Sequence, residues 1–219
     1  MRRRSSVLGA ILAIAACAAA ADQPIRVACI GDSITYGAGV AGRETNCYPA
    51  VLGRLLGEKY EVRNFGVNGA TLLRKGDNPY WKLAAFTQAT EWQPNIVTIK
   101  LGTNDSKPQN WKHKAEFADD LRAMVKHFAE LPSKPAIWLC LPVPVYATKW
   151  GINEATVKGE IIPIIQKVAE ERKLRTIDLH AALSGHAAMF PDKIHPNIQG
   201  AARIAEALAK ALAGKQGGD

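Results

Sequence analysis

Cysteine is scarce in this chain: four of the 219 residues are cysteines, and no two of them form a C-x-x-C pair. Three of them follow position 21 at wide spacing, as Cys29, Cys47 and Cys140. This pattern excludes a disulfide framework and gives no sign of a cysteine metal or redox site. Cys29 and Cys140 lie in apolar runs, where a free thiol behaves as a small hydrophobic group. Cys47 lies in a predicted loop and is a candidate reactive thiol.

Long apolar stretches are also missing beyond the N-terminus, which excludes a transmembrane helix in that part of the chain. The one apolar run, residues 7–20, follows three arginines at residues 2–4 and is too short to span a bilayer as a stable helix. Small residues then end the run, which is typical of a secretory signal peptide at residues 1–21. We therefore expect export to the periplasm or the extracellular space. A second interpretation stays open, because residues 14–17 resemble a lipobox in which Cys17 would carry a lipid anchor.

Acidic residues are outnumbered, 20 against 28 lysines and arginines, and the formal net charge is +8. Residues 1–21 contain three of the arginines and no acid, so the remainder has a net charge of +5. Its basic residues are scattered rather than clustered, which predicts a solvated surface and no nucleic-acid footprint. No internal repeat or low-complexity linker divides the chain. Its length suits one domain at residues 22–214, followed by a flexible tail at residues 215–219.

Short apolar runs alternate with amphipathic segments along this domain, and they predict five strands and four long helices. Strands are expected at residues 25–30, 61–66, 95–101, 135–141 and 176–179, and helices at residues 48–58, 115–130, 153–172 and 198–212. This alternation predicts a single α/β domain with a five-stranded, mostly parallel sheet between two helical layers. In such a sheet ligands bind beyond the carboxyl ends of the strands, so residues that follow strands are the candidates for a site.

Only four serines follow residue 21. Ser133 precedes the fourth strand and lies at the wrong edge of the sheet, and Ser184 lies in a turn beyond the short fifth strand. Ser106 and Ser33 both follow strands, and Ser33 comes directly after the first one. A serine hydroxyl becomes a nucleophile when a base takes its proton, and that base needs an orienting acid.

His195 is the best candidate base among the five histidines. Asp192 precedes it by three residues, so one tight turn can bring the carboxylate to one imidazole nitrogen and leave the other for the serine. A surface turn ahead of a helix cap at Asn197 is the alternative interpretation of this segment. The other histidines lack an acid at useful spacing or lie on solvated helix positions: His113, His127, His180 and His186.

Two further loops follow strands at the same edge and offer donors for an oxyanion, the negative oxygen that develops when a carbonyl is attacked. Gly69, after the second strand, could present an unobstructed backbone N–H. Asn104, after the third strand, could present its side-chain amide. Glycine and asparagine are also common turn residues, so each loop by itself has a structural interpretation.

Together these segments resemble the SGNH, or GDSL, hydrolase superfamily of serine esterases. Four blocks occur in the family's order, at residues 31–33, 64–71, 102–105 and 192–195. The resemblance implies a flavodoxin-like topology, a triad of Ser33, Asp192 and His195, and no metal or other cofactor. It also implies an oxyanion hole formed by the backbone N–H of Ser33 with Gly69 and Asn104. The G-x-S-x-G elbow of α/β-hydrolases is absent, which disfavours that scaffold.

Within the superfamily the chain is most similar to the carbohydrate O-acetylesterases of the sialate and xylan type, which implies a small ester or an acetylated carbohydrate as substrate. A lysophospholipase or an acyl thioesterase is the rival enzyme, and a flavodoxin-like or glycan-binding module without catalysis is the alternative from another class. The candidate substrate contacts are predicted near the same edge of the sheet, and each could instead pack a loop: Asp32, Tyr36, Arg74, Trp81, Trp111 and Trp150. The sequence leaves the oligomeric state undetermined.

Overall fold

A computed structural model describes residues 23–214 of the chain. The predicted signal peptide at residues 1–21, with its candidate lipid attachment at Cys17, lies outside the described residues, and so does the predicted tail at residues 215–219. In the part that is described, no helix combines the length and the apolar character that crossing a membrane requires.

Five parallel strands form one sheet, whose central strands are the apolar runs of the sequence. The strands are β1, Ile25–Gly31; β2, Tyr60–Gly66; β3, Ile96–Lys100; β4, Ala136–Leu141; and β5, Arg175–Asp178. Their order is β2-β1-β3-β4-β5, and each pair of neighbours is parallel. β3 is buried at all five positions, as expected for a central strand covered on both faces. The predicted flavodoxin-like sheet is confirmed, with all of its strands parallel rather than most of them.

α-Helices follow the strands and cover both faces of the sheet: α1, Ser33–Tyr36; α2, Arg43–Asn46; α3, Tyr48–Leu56; α4, Ala84–Glu91; α5, Pro108–Trp111; α6, Phe117–Ala129; α7, Glu154–Thr156; α8, Ile162–Glu171; α9, Leu179–Leu183; and α10, Ile198–Ala213. The helix predicted at residues 153–172 is divided by a π-helical segment, Val157–Ile161. Pro163, in the first turn of α8, has no N–H to bond to the preceding turn, so the regular pattern is interrupted there. Helix α4 was not predicted, because Ala89 is its one buried residue and its apolar stripe is weak.

The hydrophobic core lies on both sides of the sheet. On one face α6 and α8 pack through residues such as Leu121, Phe128 and Val168, all nearly inaccessible to solvent. On the other face α3 and α10 pack through Leu52 and Ile204, both 0% exposed. The predicted arrangement of helix, sheet and helix layers is therefore confirmed.

Two interpretations of side chains in the sequence are wrong. Cys47 is 3% exposed at the start of α3, so the candidate reactive thiol is shielded from solvent. His127 is half-buried rather than solvated, with Nε2 2.8 Å from Thr90 Oγ1 and its ring 4.6 Å from that of Phe86. The expectation for Cys29 agrees with the structure, since burial raises the pKa of its thiol to about 12 and keeps it uncharged.

Candidate active site

The chain turns sharply at the carboxyl end of β1, and the residue at this turn is Ser33. Asp32 forms the N-cap of α1, and its Oδ1 accepts the N–H of Ile34 at 3.0 Å. The turn requires a glycine in the neighbouring strand, because a Cβ added to Gly66 would lie 2.2 Å from the backbone nitrogen of Tyr36. Ser33 therefore begins a helix that lies against β2, and 9% of its surface is exposed at the edge of the sheet.

Ser33, His195 and Asp192 form one hydrogen-bonded row. Ser33 Oγ lies 2.8 Å from His195 Nε2, although 162 residues separate the two in sequence. His195 Nδ1 lies 2.7 Å from Asp192 Oδ2. Asp192 Oδ1 also accepts the backbone N–H groups of Ile194 and His195, at 2.9 and 2.7 Å. These bonds hold the carboxylate and the imidazole in a single tight turn ahead of α10.

The charge of Asp192 selects the arrangement of protons in this row. Burial acts to raise the pKa of its carboxyl, but the hydrogen bonds from the His195 backbone and ring and from the Ile194 N–H outweigh burial, and the pKa is lowered. An ionised carboxylate can only accept hydrogen bonds, so we assign the proton of the imidazole to Nδ1. Nε2 of the neutral ring is then available to accept the proton of the Ser33 hydroxyl.

A cleft of about 300 Å³ opens in front of Ser33. The loops that follow β1, β2, β3 and β4 meet at this cleft, together with the loop before α10. They bring the predicted triad members Ser33 and His195 together with the predicted oxyanion donors Gly69 and Asn104. The lining is completed by Trp150, which was predicted near the site, and by residues that were not singled out from the sequence: Ala38, Asn68, Lys107 and Ile152.

Hydrogen bonds behind the cleft orient Asn104. Its Nδ2 donates one hydrogen to the carbonyl of Ala70 at 3.1 Å, which leaves a second N–H on the same nitrogen. Asp105, the next residue, accepts the backbone N–H groups of Leu72 and Leu73 at 3.1 and 2.8 Å. The loop after β2 is therefore tied to the loop after β3 by bonds from two successive side chains.

The family model described as the GDSL-like lipase/acylhydrolase family matches residues 29–203. The chain belongs to this family. A relative, an acetylxylan esterase of Xylanibacter ruminicola, is 44% identical over 209 residues, an alignment that covers 87% of this chain and 44% of the relative. The chain thus spans less than half the length of that relative.

Solved structures share the fold of this family member at low sequence identity. A carbohydrate acetylesterase from Sinorhizobium meliloti superposes with a TM-score of 0.72 and 20% identity, over 87% of this chain and 99% of the other. An acetylxylan esterase from Geobacillus stearothermophilus gives a TM-score of 0.66 and 22% identity, over 85% of this chain and 93% of the other. At these identities the likeness shows the fold alone.

Asp32, which is a predicted substrate contact in this chain, is instead fully buried behind the cleft. Lys100 Nζ lies 2.9 Å from both carboxylate oxygens of Asp32, and both side chains are 0% exposed, so Asp32 has no surface to offer a substrate. Burial lowers the pKa of the Lys100 ammonium, and the charge of Asp32 partly opposes this shift. Lys100 was not singled out from the sequence, although a lysine within the apolar run of residues 95–101 is a visible signal.

Four other predicted substrate contacts pack against the body of the protein rather than line the cleft. The ring of Tyr36 lies under the guanidinium of Arg43, at 4.3 Å from its centroid. Arg74 lies 4.0 Å from the ring centroid of Trp81, so these two predicted contacts pack on each other. Trp111 is 8% exposed and belongs to the core. Their contacts fit the alternative interpretation, in which they pack loops onto the body.

Trp150 lies at the mouth of the cleft. It is 57% exposed, and its ring centroid is 5.8 Å from that of His195. Lys149 Nζ lies 4.4 Å from the centroid of the indole ring. Trp150 and Gly151 have φ of +53° and +83°, in a tight turn closed by backbone hydrogen bonds between Lys149 and Ile152 at 2.9 and 3.2 Å. A bulky residue rarely adopts this left-handed conformation, and the resulting strain, about 1 kcal/mol or more, is typical of functional sites.

His180 has an acidic partner that the sequence did not reveal. The sequence offers no acid at useful spacing from His180, but the structure places Glu154 Oε1 2.7 Å from His180 Nε2, across 26 residues. Glu154 Oε2 accepts the backbone N–H of Val145 at 2.7 Å. Neither His180 nor Glu154 lines the cleft, so this pair holds the loop after β4. Among residues 23–214, no group of three or more His, Cys, Asp and Glu side chains is arranged to hold a metal ion.

Proposed function

We propose that the protein is a serine esterase in which Ser33 is the nucleophile, His195 the general base and Asp192 the orienting acid. The observation that carries this proposal is the continuous row of hydrogen bonds, 2.8 Å from Ser33 to His195 and 2.7 Å from His195 to Asp192. Membership of the GDSL-like lipase/acylhydrolase family supports the same reaction class. No residue in this row requires a metal or an organic cofactor for its role.

In the first step Ser33 Oγ attacks the carbonyl carbon of an ester while its proton passes to His195 Nε2. The carbonyl electron pair moves onto the oxygen, where the Ser33 and Gly69 backbone N–H groups and the second Asn104 Nδ2–H would stabilise the negative charge. The intermediate then expels the alcohol, which takes the proton from His195, and an acyl group remains on Ser33.

In the second step water hydrolyses the acyl-enzyme. His195 Nε2 takes a proton from the water as its oxygen attacks the acyl carbon, and the same donors stabilise the second oxyanion. Ser33 Oγ then leaves and recovers the proton from His195, which releases the carboxylic acid. Asp192 holds the imidazole in the correct tautomer through both steps.

We propose a small acyl group, acetyl in particular, carried on a carbohydrate. The cleft of about 300 Å³ is at the small end of the range for ligand sites, which supports a short acyl group over a fatty acyl chain. Trp150 supports a sugar, because an exposed indole at the mouth of the cleft offers a flat apolar surface to the C–H face of a pyranose. The 44% identical relative is an acetylxylan esterase, which supports acetylated xylan as the first polymer to test.

Ser33→Ala and the matched Ser133→Ala variant test the reaction. Ser133 lies before β4, at the opposite edge of the sheet. We expect Ser33→Ala to lose hydrolysis of p-nitrophenyl acetate and labelling by a fluorophosphonate, and Ser133→Ala to keep both. Full ester hydrolysis by Ser33→Ala would contradict the proposal, and a wild-type protein that neither turns over nor labels would favour a binding module.

Substrate class is tested with esters of increasing chain length and with acetylated glycans. We expect faster hydrolysis of acetyl than of octanoyl p-nitrophenyl esters, and acetate release from acetylated xylan. Trp150→Ala should raise KM for an acetylated xylo-oligosaccharide about tenfold, the effect of losing about 1.4 kcal/mol of contact, while Trp150→Phe keeps part of the effect. A preference for octanoyl esters would instead point to a lysophospholipase or thioesterase.

We also propose that residues 1–21 direct export of the protein. The three arginines followed by an apolar run and small residues support this assignment. N-terminal sequencing of the protein from a secreting host should find a start at or next to residue 22. Incorporation of labelled palmitate, abolished in Cys17→Ala, would instead favour a lipid-anchored form.

A further inference from the structure

Lys100 is a fully buried charged residue at the carboxyl end of β3. Its ammonium lies 2.9 Å from Asp32 Oδ1, 2.9 Å from Asp32 Oδ2 and 3.0 Å from Thr103 Oγ1. An ammonium group has three N–H donors, so these three oxygens account for all of them. Lys100 and Asp32 are 0% exposed and Thr103 is 2% exposed, so the bonds are made without competition from bulk water.

Stability alone gives a weak reason for such a pair. Removing two charges from water costs several kcal/mol per ion, and well-packed apolar residues at such positions are often as stable or more stable. Once the pair exists, however, its geometry is strongly constrained, because each charge is very costly if the other moves away. A buried pair therefore suits a function that requires two backbone segments to keep a fixed separation.

The partners of Lys100 lie next to two proposed catalytic groups. Asp32 directly precedes Ser33, and its Oδ1 also accepts the N–H of Ile34, which fixes the start of α1. Thr103 directly precedes Asn104, in the loop after β3. The ammonium therefore bonds both the segment that carries the nucleophile and the segment that carries the oxyanion amide, from the buried side of the cleft.

We propose that Lys100 is a positioning residue that sets the distance between the Ser33 hydroxyl and the Asn104 amide through its bonds to Asp32 and Thr103. This inference rests on the proposed esterase function. The effect is on alignment in the transition state, because the oxyanion donor must meet an oxygen whose position is set by the attacking serine. Lys100 itself does not contact the substrate.

Thr103→Val tests the link from the oxyanion loop, because it removes the hydroxyl and keeps the shape of the side chain. We expect kcat for p-nitrophenyl acetate to fall about tenfold or more, with KM changed by less than about twofold, since alignment rather than ground-state binding is lost. Fluorophosphonate labelling of Ser33 should slow by a similar factor, and Thr103→Ser should restore most of the turnover.

Thr98→Val is the matched control, since Thr98 is also buried in β3 and does not bond to Lys100. We expect wild-type kcat and KM for this variant. A Thr103→Val protein with wild-type kcat, or one that changes only KM, would overturn the proposal. An equal loss of kcat in Thr98→Val and Thr103→Val would also overturn it, because the effect would then reflect disturbed packing.

The variants Lys100→Met, Asp32→Asn and their combination separate positioning from charge neutralisation. Lys100→Met alone leaves a buried carboxylate without its partner and is expected to lower Tm sharply. The double variant removes both charges and should recover Tm, while asparagine at position 32 still caps α1. We expect its kcat to stay low if Lys100 positions the site. Recovery of wild-type kcat together with Tm would show that Lys100 only neutralises Asp32.

The two levels of the proposal fail in different ways. If Ser33 is not the nucleophile, the wild-type protein resists fluorophosphonate labelling and Ser33→Ala remains active. If Ser33 is the nucleophile but Lys100 has no positioning role, the wild-type protein is labelled and Thr103→Val is labelled at the same rate.

Discussion

Substituting asparagine for Asp105 perturbs the connection between the two loops that line the cleft behind the nucleophile. The carboxylate accepts the N–H groups of Leu72 and Leu73 and is fully buried. Burial raises its pKa from 3.8 to about 7, even though both hydrogen bonds favour the ionised form. In the unfolded chain the same group is hydrated and is expected to titrate near its ordinary value.

This difference in pKa fixes the sign of a pH effect. Between the unfolded value of 3.8 and the folded value of about 7, the folded protein binds a proton that the unfolded chain has released. The contribution of Asp105 to the free energy of unfolding is therefore complete at low pH and falls as pH rises through this window. From about pH 5 to the folded pKa the loss is about 3 kcal/mol, at 1.36 kcal/mol per pH unit. Above the folded pKa no further loss is expected.

Asparagine is neutral at every pH, so it cannot contribute this dependence of the free energy of unfolding on pH. Its oxygen accepts one N–H, while its NH₂ faces the other, so Asp105→Asn also costs about 1 kcal/mol at any pH. Urea unfolding near pH 5 and near pH 8 measures both effects. Raising the pH should change the stability of the variant relative to the wild type by about 3 kcal/mol in the variant's favour, which exceeds the cost of the lost hydrogen bond, so we expect the variant to be the more stable protein near pH 8. Asp119→Asn is the control, because Asp119 lies on the exposed surface of α6 with 82% of its side chain accessible. A stability difference between Asp105→Asn and the wild type that is the same at both pH values would refute this reasoning.

Three further substitutions test the site. Asp192→Asn should lower kcat about 10⁴-fold with little change in KM, because an amide does not hold the required imidazole tautomer. The rate of p-nitrophenyl acetate hydrolysis measures this, and a loss of kcat under tenfold would contradict the role of Asp192 as the orienting acid. Asn104→Ala should lower kcat by about 10²- to 10³-fold, and a rise in KM at unchanged kcat would argue against an oxyanion donor. Gly66→Ala should lower the free energy of unfolding by about 1–3 kcal/mol, because the added Cβ would clash with the backbone nitrogen of Tyr36. Gly53→Ala in α3 is the control and should not lower the free energy of unfolding. Equal unfolding midpoints for the two variants would contradict the predicted clash.

The sheet could be predicted because its central strands are continuous apolar runs, a pattern that local sequence carries directly. The candidate triad followed from the same pattern, since Ser33 directly follows β1. The carboxyl ends of parallel strands share one edge, so loops far apart in sequence can be assigned to one site. The pairing of Asp192 with His195 needed only the reach of one tight turn.

Other features depend on contacts that the sequence does not encode locally. Lys100 is bonded to Asp32 across 68 residues, and its role follows only once β1 and β3 are seen to be neighbours. Trp150 lies at the cleft because of a left-handed turn, whereas Trp81 and Trp111, equally plausible beforehand, pack against the body. Aromatic residues favour both cores and ligand sites, so composition cannot separate the two uses.

The orienting acid Asp192 and the base His195 lie in one short turn, so the position of the imidazole is coupled to that of its own carboxylate. Asp192 accepts both the ring N–H and the backbone N–H of His195, so both bonds lie within the same four-residue segment. The remaining contact of the row, between His195 Nε2 and Ser33 Oγ, joins this segment to a distant part of the chain. Directed evolution of the activity can therefore concentrate on residues that contact the His195 side chain, beginning with Trp150, whose ring centroid lies 5.8 Å from that of the imidazole.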